Sequence, residues 1–132
     1  MFNMMDIGGS ALTAHKLYLD TVSNNIANVN TPTKPGETGY KRQGIVFESF
    51  EDKMKSKLGV KAKSIVKSNR ADRLVKDPDH PYADKDGYVH YPDIEMSEEM
   101  ADMIVAQRGY QLNLNALNYV REMYEKTLEI GQ

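Results

Sequence analysis

Residues 96–132, MSEEMADMIVAQRGYQLNLNALNYVREMYEKTLEIGQ, set the architecture. Met96, Met103, Tyr110, Leu117 and Tyr124 recur every seven residues, and Met100, Gln107, Leu114, Arg121 and Leu128 follow each of them by four. That period predicts one long helix with a coiled-coil-like seam, about 50 Å long at 1.5 Å per residue. Ser97 is placed to cap it, Glu98 and Glu99 suit the positive end of the helix dipole, and Gly131 marks its stop. Gln107 and Arg121 are polar seam positions, which cost stability and tend to set register or partner.

A seam needs a cover, and the N-terminal segment supplies part of one. Met5, Leu12, Leu19, Val22, Ile26 and Val29 form a helical stripe, with His15 inside it. Ile7, Ala11, Ala14 and Tyr18 form a second, smaller stripe beside it, so this helix is expected to meet more than one neighbour. Gly8-Gly9 should weaken its first turn. Met5 to Val29 spans only about 37 Å at the same rise, so part of the longer seam is left open. Open apolar stripes predict association into an oligomer or polymer.

The first helix ends in Ser23-Asn24-Asn25-Ile26-Ala27-Asn28-Val29-Asn30. Asn is a poor helix-interior residue because its amide competes for backbone groups, so four Asn in seven positions need a reason. Either they cap and turn a fraying helix end, or their amides bond to a neighbouring chain. Thr31 to Gly39 is then loop by composition, with Pro32 and Pro35 forbidding helix.

The middle of the chain has β character. Tyr40 to Phe47 and Gly59 to Val66 have strand-like patterns, with Glu48 to Leu58 between them as a short helix or an exposed polar connection. Residues 77–92 are turn chemistry, Asp-Pro, His-Pro and Asp-Gly, leading into Tyr88-Val89-His90-Tyr91 as a short strand. The expected class is α+β: N-terminal axial helix in 1–30, loop and small β-rich insertion in 31–93, C-terminal heptad helix in 94–132.

The chain is one domain's worth, 40% apolar and 27% charged, with eight Met and no Cys, which excludes disulfides, thiolate metal sites and cysteine nucleophiles. No run approaches the roughly 20 apolar residues of a membrane span, and Met1 to Ser10 does not read as a secretory signal peptide. Net charge is only -2, but residues 51–76 carry nine Lys/Arg against three Asp/Glu, and residues 77–102 carry one Lys against nine Asp/Glu. Such polarity suggests charge complementarity within the fold or between copies, against the plainer reading of two solvated faces.

Together these stretches resemble the rod and hook axial proteins of the bacterial flagellum. The likeness runs through Ser23, Asn24, Asn25, Ile26, Ala27, Asn28 and Thr31, then Gly39, Tyr40, Lys41 and Arg42, with an inserted Pro/Gly segment that departs from the tight form. Asp77, Pro78, His80, Pro81, Gly87, Tyr88, Val89, Tyr91 and Pro92 look like the middle of the C-type proximal rod subunits, as do Glu98-Glu99-Met100 and Arg108-Gly109-Tyr110 further on. The resemblance implies a non-enzymatic, cofactor-free structural subunit of the basal-body proximal rod. It implies export through the flagellar type III apparatus without a cleaved signal, and helical polymerisation in the periplasm into a shaft that transmits torque. Implied partners are B-, F- and G-type rod subunits, the rod-to-membrane-ring junction protein and copies of itself, with no small-molecule substrate. Leu12, Leu19, Val22 and Ile26 on one helix, and Met100, Met103, Gln107, Tyr110, Leu114, Leu117, Arg121, Tyr124 and Leu128 on the other, are the expected assembly interface.

Other functions fit less well. His15, His80 and His90 are scattered and form no catalytic constellation. Reading Asp84-Lys85-Asp86-Gly87 as a calcium loop puts Tyr82 at the first ligand position and Asp93 at the twelfth, so turn formation explains these residues better. A nucleic-acid-binding adaptor acting through the Lys-rich 53–76 stretch is the alternative; the acidic block that follows at once argues against it.

Overall fold

Heptad periodicity at the two ends becomes two antiparallel helices of unequal length, α1 (Phe2–Asn28) and α2 (Met96–Ile130). The computed structural model describes residues 2–52 and 57–131. Side chains mark the pairing. A Cβ on Gly8 would come 2.5 Å from Leu117, a Cβ on Gly109 would come 2.6 Å from His15, and Asn25 bonds Glu99. The two glycines are therefore slots that let a larger side chain from the other helix reach the backbone, which outweighs their helix cost of about 1 kcal/mol each. α1 begins ahead of Gly8-Gly9, so the pair lies inside the helix rather than at its entry.

Half of the heptad seam faces α1. Met103, Tyr110 and Leu117 are half-buried, and the line beside them is Glu99, Ala106, Asn113 and Val120. Met100, Gln107, Leu114, Arg121 and Leu128 are exposed, and Arg121 bonds Glu125 one turn along its own helix at 2.9 Å. The inner seam is thus displaced by one residue from the expected one. Ser97 is not the cap: Glu95 is, without a side-chain cap bond, while the Ser97 hydroxyl donates to the Glu95 carboxylate at 2.8 Å. Gly131 does end the helix, donating its N–H to Thr127 O from an ordinary right-handed conformation.

Between the helices lie two separate antiparallel ribbons. β1 (Gln43–Asp52) pairs with β2 (Lys57–Lys67), from Gln43 opposite Lys67 to Asp52 opposite Lys57. Phe47 faces Ala62 and Val46 faces Ser64, so Lys63 is the extra residue of a bulge. Glu48 to Asp52 and Leu58 are therefore strand, neither helix nor free connection; residues 53–56 of that expectation lie outside the described residues. Ladder bonds to the next strand override the polar composition there. Tyr40 and Arg42 precede β1, although the Arg42 carbonyl still accepts from Ser68 N–H at 2.8 Å. β3 (Arg73–Lys76) pairs with β4 (Tyr88–Tyr91), and Thr33 N–H bonds His90 O at 2.9 Å to tie this ribbon to the loop after α1.

α1 is the central layer, α2 on one side and the β1–β2 ribbon on the other. His15 lies 6.2 Å from the Phe47 ring and Tyr18 packs edge-on to it at 5.9 Å; Val60 N–H donates to the Ser10 hydroxyl at 3.0 Å. The smaller stripe of α1 meets the ribbon: Ala11 and Ala14 share a pocket with Phe47 and Val60. Among the described residues the buried apolar set is small, Ala14, Val22, Val29, Val89, Ile94 and Ala106, while twenty large apolar side chains are exposed. Among the described residues no helix is long and apolar enough to cross a membrane.

Candidate functional site

Asn25 is the least exposed polar residue of α1, with none of its surface accessible, and its amide makes every hydrogen bond it can. Its NH2 donates to Gln43 O at 2.8 Å and to Glu99 Oε2 at 2.9 Å. Its oxygen accepts from the Tyr40 hydroxyl at 2.7 Å and from Gln43 N–H at 2.9 Å. The Gln43 backbone fixes the amide's orientation, since a flipped Asn25 would set its NH2 against that N–H. The Asn-rich stretch, the Gly-Tyr-Lys-Arg element and the start of α2 are one clasp.

Arg42 closes the other side of it. Its guanidinium bonds Glu99 Oε1, meets Asp102 at 3.0 Å and lies 3.5 Å from Glu98. Burial works against the Arg42 charge, but the Glu99 bond and the neighbouring carboxylates overcome it and raise its pKa. Burial, then the Glu99 charge, pushes the Tyr40 phenol up, which keeps it a donor to Asn25. Burial, then Asp102, does the same for Tyr18. Glu99 is fully buried, and its carboxylate is balanced by Arg42 and Asn25. Glu99 was legible from sequence only as a dipole partner; its seven-residue spacing from Ala106 was the signal that it points inward.

The remaining motif residues divide. Asn28 donates to Asn24 O at 2.8 Å, and Thr31 N–H bonds Asn28 O at 3.1 Å, so Asn28 finishes the helix. Ser23, Asn24 and Ala27 are exposed, and Ile26 is half-buried. A Cβ on Gly39 would strike the Thr33 side chain, and Lys41 bonds Asp72 and Arg70 O. Both explanations of the Asn stretch were open; Asn25 serves the fold of its own chain, and Asn28 caps.

The Asp-Pro-His-Pro stretch is a turn held by its own groups. His80 N–H bonds Asp77 O at 3.2 Å, Tyr82 N–H bonds the His80 ring at 3.0 Å, and Gly87 takes φ +81°, which only glycine adopts readily. Asp84 accepts from the Asp86 and Tyr88 N–H groups at 2.9 Å each and meets His90 at 3.1 Å. Val89 and Pro92 are buried below. Among the described residues no three His, Cys, Asp or Glu side chains come together as metal ligands.

The Tyr88 N–H bond is the main reason that the Asp84 carboxyl is held below the usual range, helped by His90 and Asp86 N–H. A carboxyl with a depressed folded-state pKa contributes stability above its unfolded value and loses it as pH falls through the depressed one. Acidification should therefore lower the protection of the Asp86 and Tyr88 amides, measured against the intrinsic exchange rate at the same pH, and Asp84→Ala should do so already at neutral pH. Exchange at Tyr88 unmoved by either would show that the carboxylate does not hold the turn.

The second candidate surface is the open face of the helix pair. Met100, Ile104, Val105, Leu112, Leu114 and Leu128 are exposed along α2, and Leu19, Gln107, Tyr110, Gln111 and Leu114 line a shallow groove. Of the expected interface, Val22 is buried within the chain, and Leu12, Leu19, Ile26, Met103, Tyr110 and Leu117 are half-buried in the pair; Tyr124 and the outer line Met100, Gln107, Leu114, Arg121 and Leu128 are exposed. Of the basic stretch, Lys53 and Lys55 lie outside the described residues. Lys63 pairs with Glu48 at 3.3 Å, and Lys61 and Arg73 sit over the Phe50 and Tyr91 rings.

Known proteins are similar to this chain in sequence. The family model described as flagella basal body rod protein matches residues 5–33, which hold most of α1 and the clasp asparagine. The model described as flagellar basal body rod FlgEFG protein C-terminal matches residues 85–130, from the end of the acidic turn through α2. The flagellar basal-body rod protein FlgC of Salmonella typhimurium is 36% identical over 132 residues, covering 100% of this chain and 98% of that one. FlgC of Escherichia coli O6:H1 is 37% identical with the same coverage, and FlgC of Bacillus subtilis is 33% identical, covering 99% of this chain and 98% of its own.

Proposed function

The chain belongs to the C-type flagellar basal-body rod proteins, and from that membership we propose how it works as a structural subunit of the rod. It is a building block of the flagellar basal body, assembled with other rod components, and no enzyme. In the finer reading it polymerises helically into the proximal rod across the periplasm. Its neighbours there are B-, F- and G-type subunits, the ring-junction protein and further copies of itself. It reaches that place through the flagellar type III export apparatus without a cleaved signal. Its task is mechanical: packed helices give the shaft axial stiffness, and the β ribbons set neighbours at larger radius.

One observation carries this reading. Among the described residues twenty large apolar side chains are exposed against six buried apolar ones, and most of the exposed set lies along α2. A subunit of this size keeps such a face only if neighbours cover it. Deleting the gene should leave basal bodies with the membrane ring and no rod, and cells without motility; a plasmid copy should restore both. Rods of normal length in the deletion strain would overturn the reading.

A further inference from the structure

The two charge blocks are adjacent in sequence and largely apart in the fold. Inside the acidic block, Glu98, Glu99 and Asp102 are taken up by Arg42, and Asp84 by His90 and the backbone. Inside the basic block, Lys63 is matched to Glu48. Among the described residues the acid–base side-chain contacts that join the two blocks are Arg70 to Asp93, at 4.0 Å, and His90 to Asp72, at 3.8 Å. Lys61 and Lys67 on β2, and Asp77, Asp79 and Asp86 around the turn, are exposed without an ion-pair partner among the described residues.

Lys61 is held far from the turn, whereas Lys67, opposite Gln43, lies near the end of α1. Lys61 lines a pocket with Ser10, Ala14 and Leu17, alongside the middle of α1. The acidic turn extends from the β3–β4 ribbon, which is anchored beyond the end of α1 by the Thr33–His90 bond. Ala14 to Asn28 alone is about 20 Å of helix. Each patch has apolar companions: Ile65 and Val66 are about half exposed on β2, as is Leu74 on β3. Apolar contact inside a charged rim is the usual anatomy of a protein interface.

We propose that the β2 strand of one subunit, through its exposed and unpaired Lys61 and Lys67, docks on the Asp77–Asp86 turn of a second copy of the same chain. Both halves of the complement are on this chain, and one subunit does not bring them together. Because the contact joins two different patches, it can be used head-to-tail, and each repeat then adds a further subunit. The inference rests on the rod reading, and the charges steer and select the neighbour more than they add affinity.

The test is a charge swap in cells, with the purified monomer as control. Lys61 and Lys67→Glu should reduce rod-bearing cells by about tenfold, as should Asp77, Asp79 and Asp86→Lys, because like charges then face each other across the contact. Both monomers should keep the parent melting temperature. The chain carrying both sets should recover to within about twofold of the parent, because the complement is restored with opposite sign. Impaired single sets without recovery in the combined chain would mean that the patches face a different rod subunit, and the copy-to-copy contact would be wrong. A lowered melting temperature in each single set, cured by combining them, would mean pairing within one subunit, which also overturns it. Normal rods in both single sets would overturn the contact and leave the deletion result, and with it the rod reading, standing.

Discussion

Asn25→Leu should lower the stability of the monomer by about 3–5 kcal/mol, the cost of breaking a buried charged network by removing one member. Leucine is close to Asn in size, so the loss is not a cavity. It strands the buried Glu99 Oε2 lone pairs and unpairs the Gln43 N–H and C=O and the Tyr40 hydroxyl, which are partly buried. Glu99 has no accessible surface, so its carboxylate is left with Arg42 alone. Urea unfolding of the purified protein measures this directly, through the shift of the midpoint at constant slope. Asn28→Leu is the matched control: its amide bonds only Asn24 O and the Thr31 hydroxyl at the surface, and its loss should cost about 1 kcal/mol or less. Equal midpoints for the two variants would mean that the clasp does not hold the fold.

The second large effect separates folding from assembly. Leu117→Asp places a carboxylate against the α1 backbone at Gly8 and should destabilise the monomer by about 2–4 kcal/mol. Leu114→Asp, three residues earlier on the exposed line, should change monomer stability by about 1 kcal/mol at most. Yet it should abolish motility, because in the rod that face is covered by a neighbour and the charge would be buried there. Unfolding midpoints and swimming assays on the two variants give opposite rankings if α2 has an inner and an outer face with these roles. A fully motile Leu114→Asp strain would show that the outer line stays in water.

Both helices, their unequal lengths and the turn at residues 77–88 were legible in the sequence, because periodicity and Pro/Gly chemistry are local signals. Which line of α2 faces α1 was not. Met100 and Glu99 are neighbours on the helix, and hydrophobicity favours the methionine; the choice falls to the glutamate because Arg42 and Asn25 arrive from elsewhere to neutralise it. The same holds for Asn25, whose partners lie 18 and 74 residues away. Strand at Glu48 to Asp52 was hidden by its charges, since ladder bonds come from β2 and leave no mark in the segment's own composition. Small-residue slots at Gly8 and Gly109 read as weak points of helices until the side chain that fills each is known.

The Asn25–Glu99 bond spans 74 residues of chain. On the proposed export route the polypeptide is threaded end-first through a narrow conduit, so this bond cannot close until both positions have emerged. Loop-closure entropy for that span is about 4 kcal/mol, close to what the clasp itself contributes. On that route the junction would form in two stages: Tyr40 and Gln43 lie 15 and 18 residues from Asn25 and can meet it first, whereas Glu99 can lock it only once α2 has arrived to pack along α1.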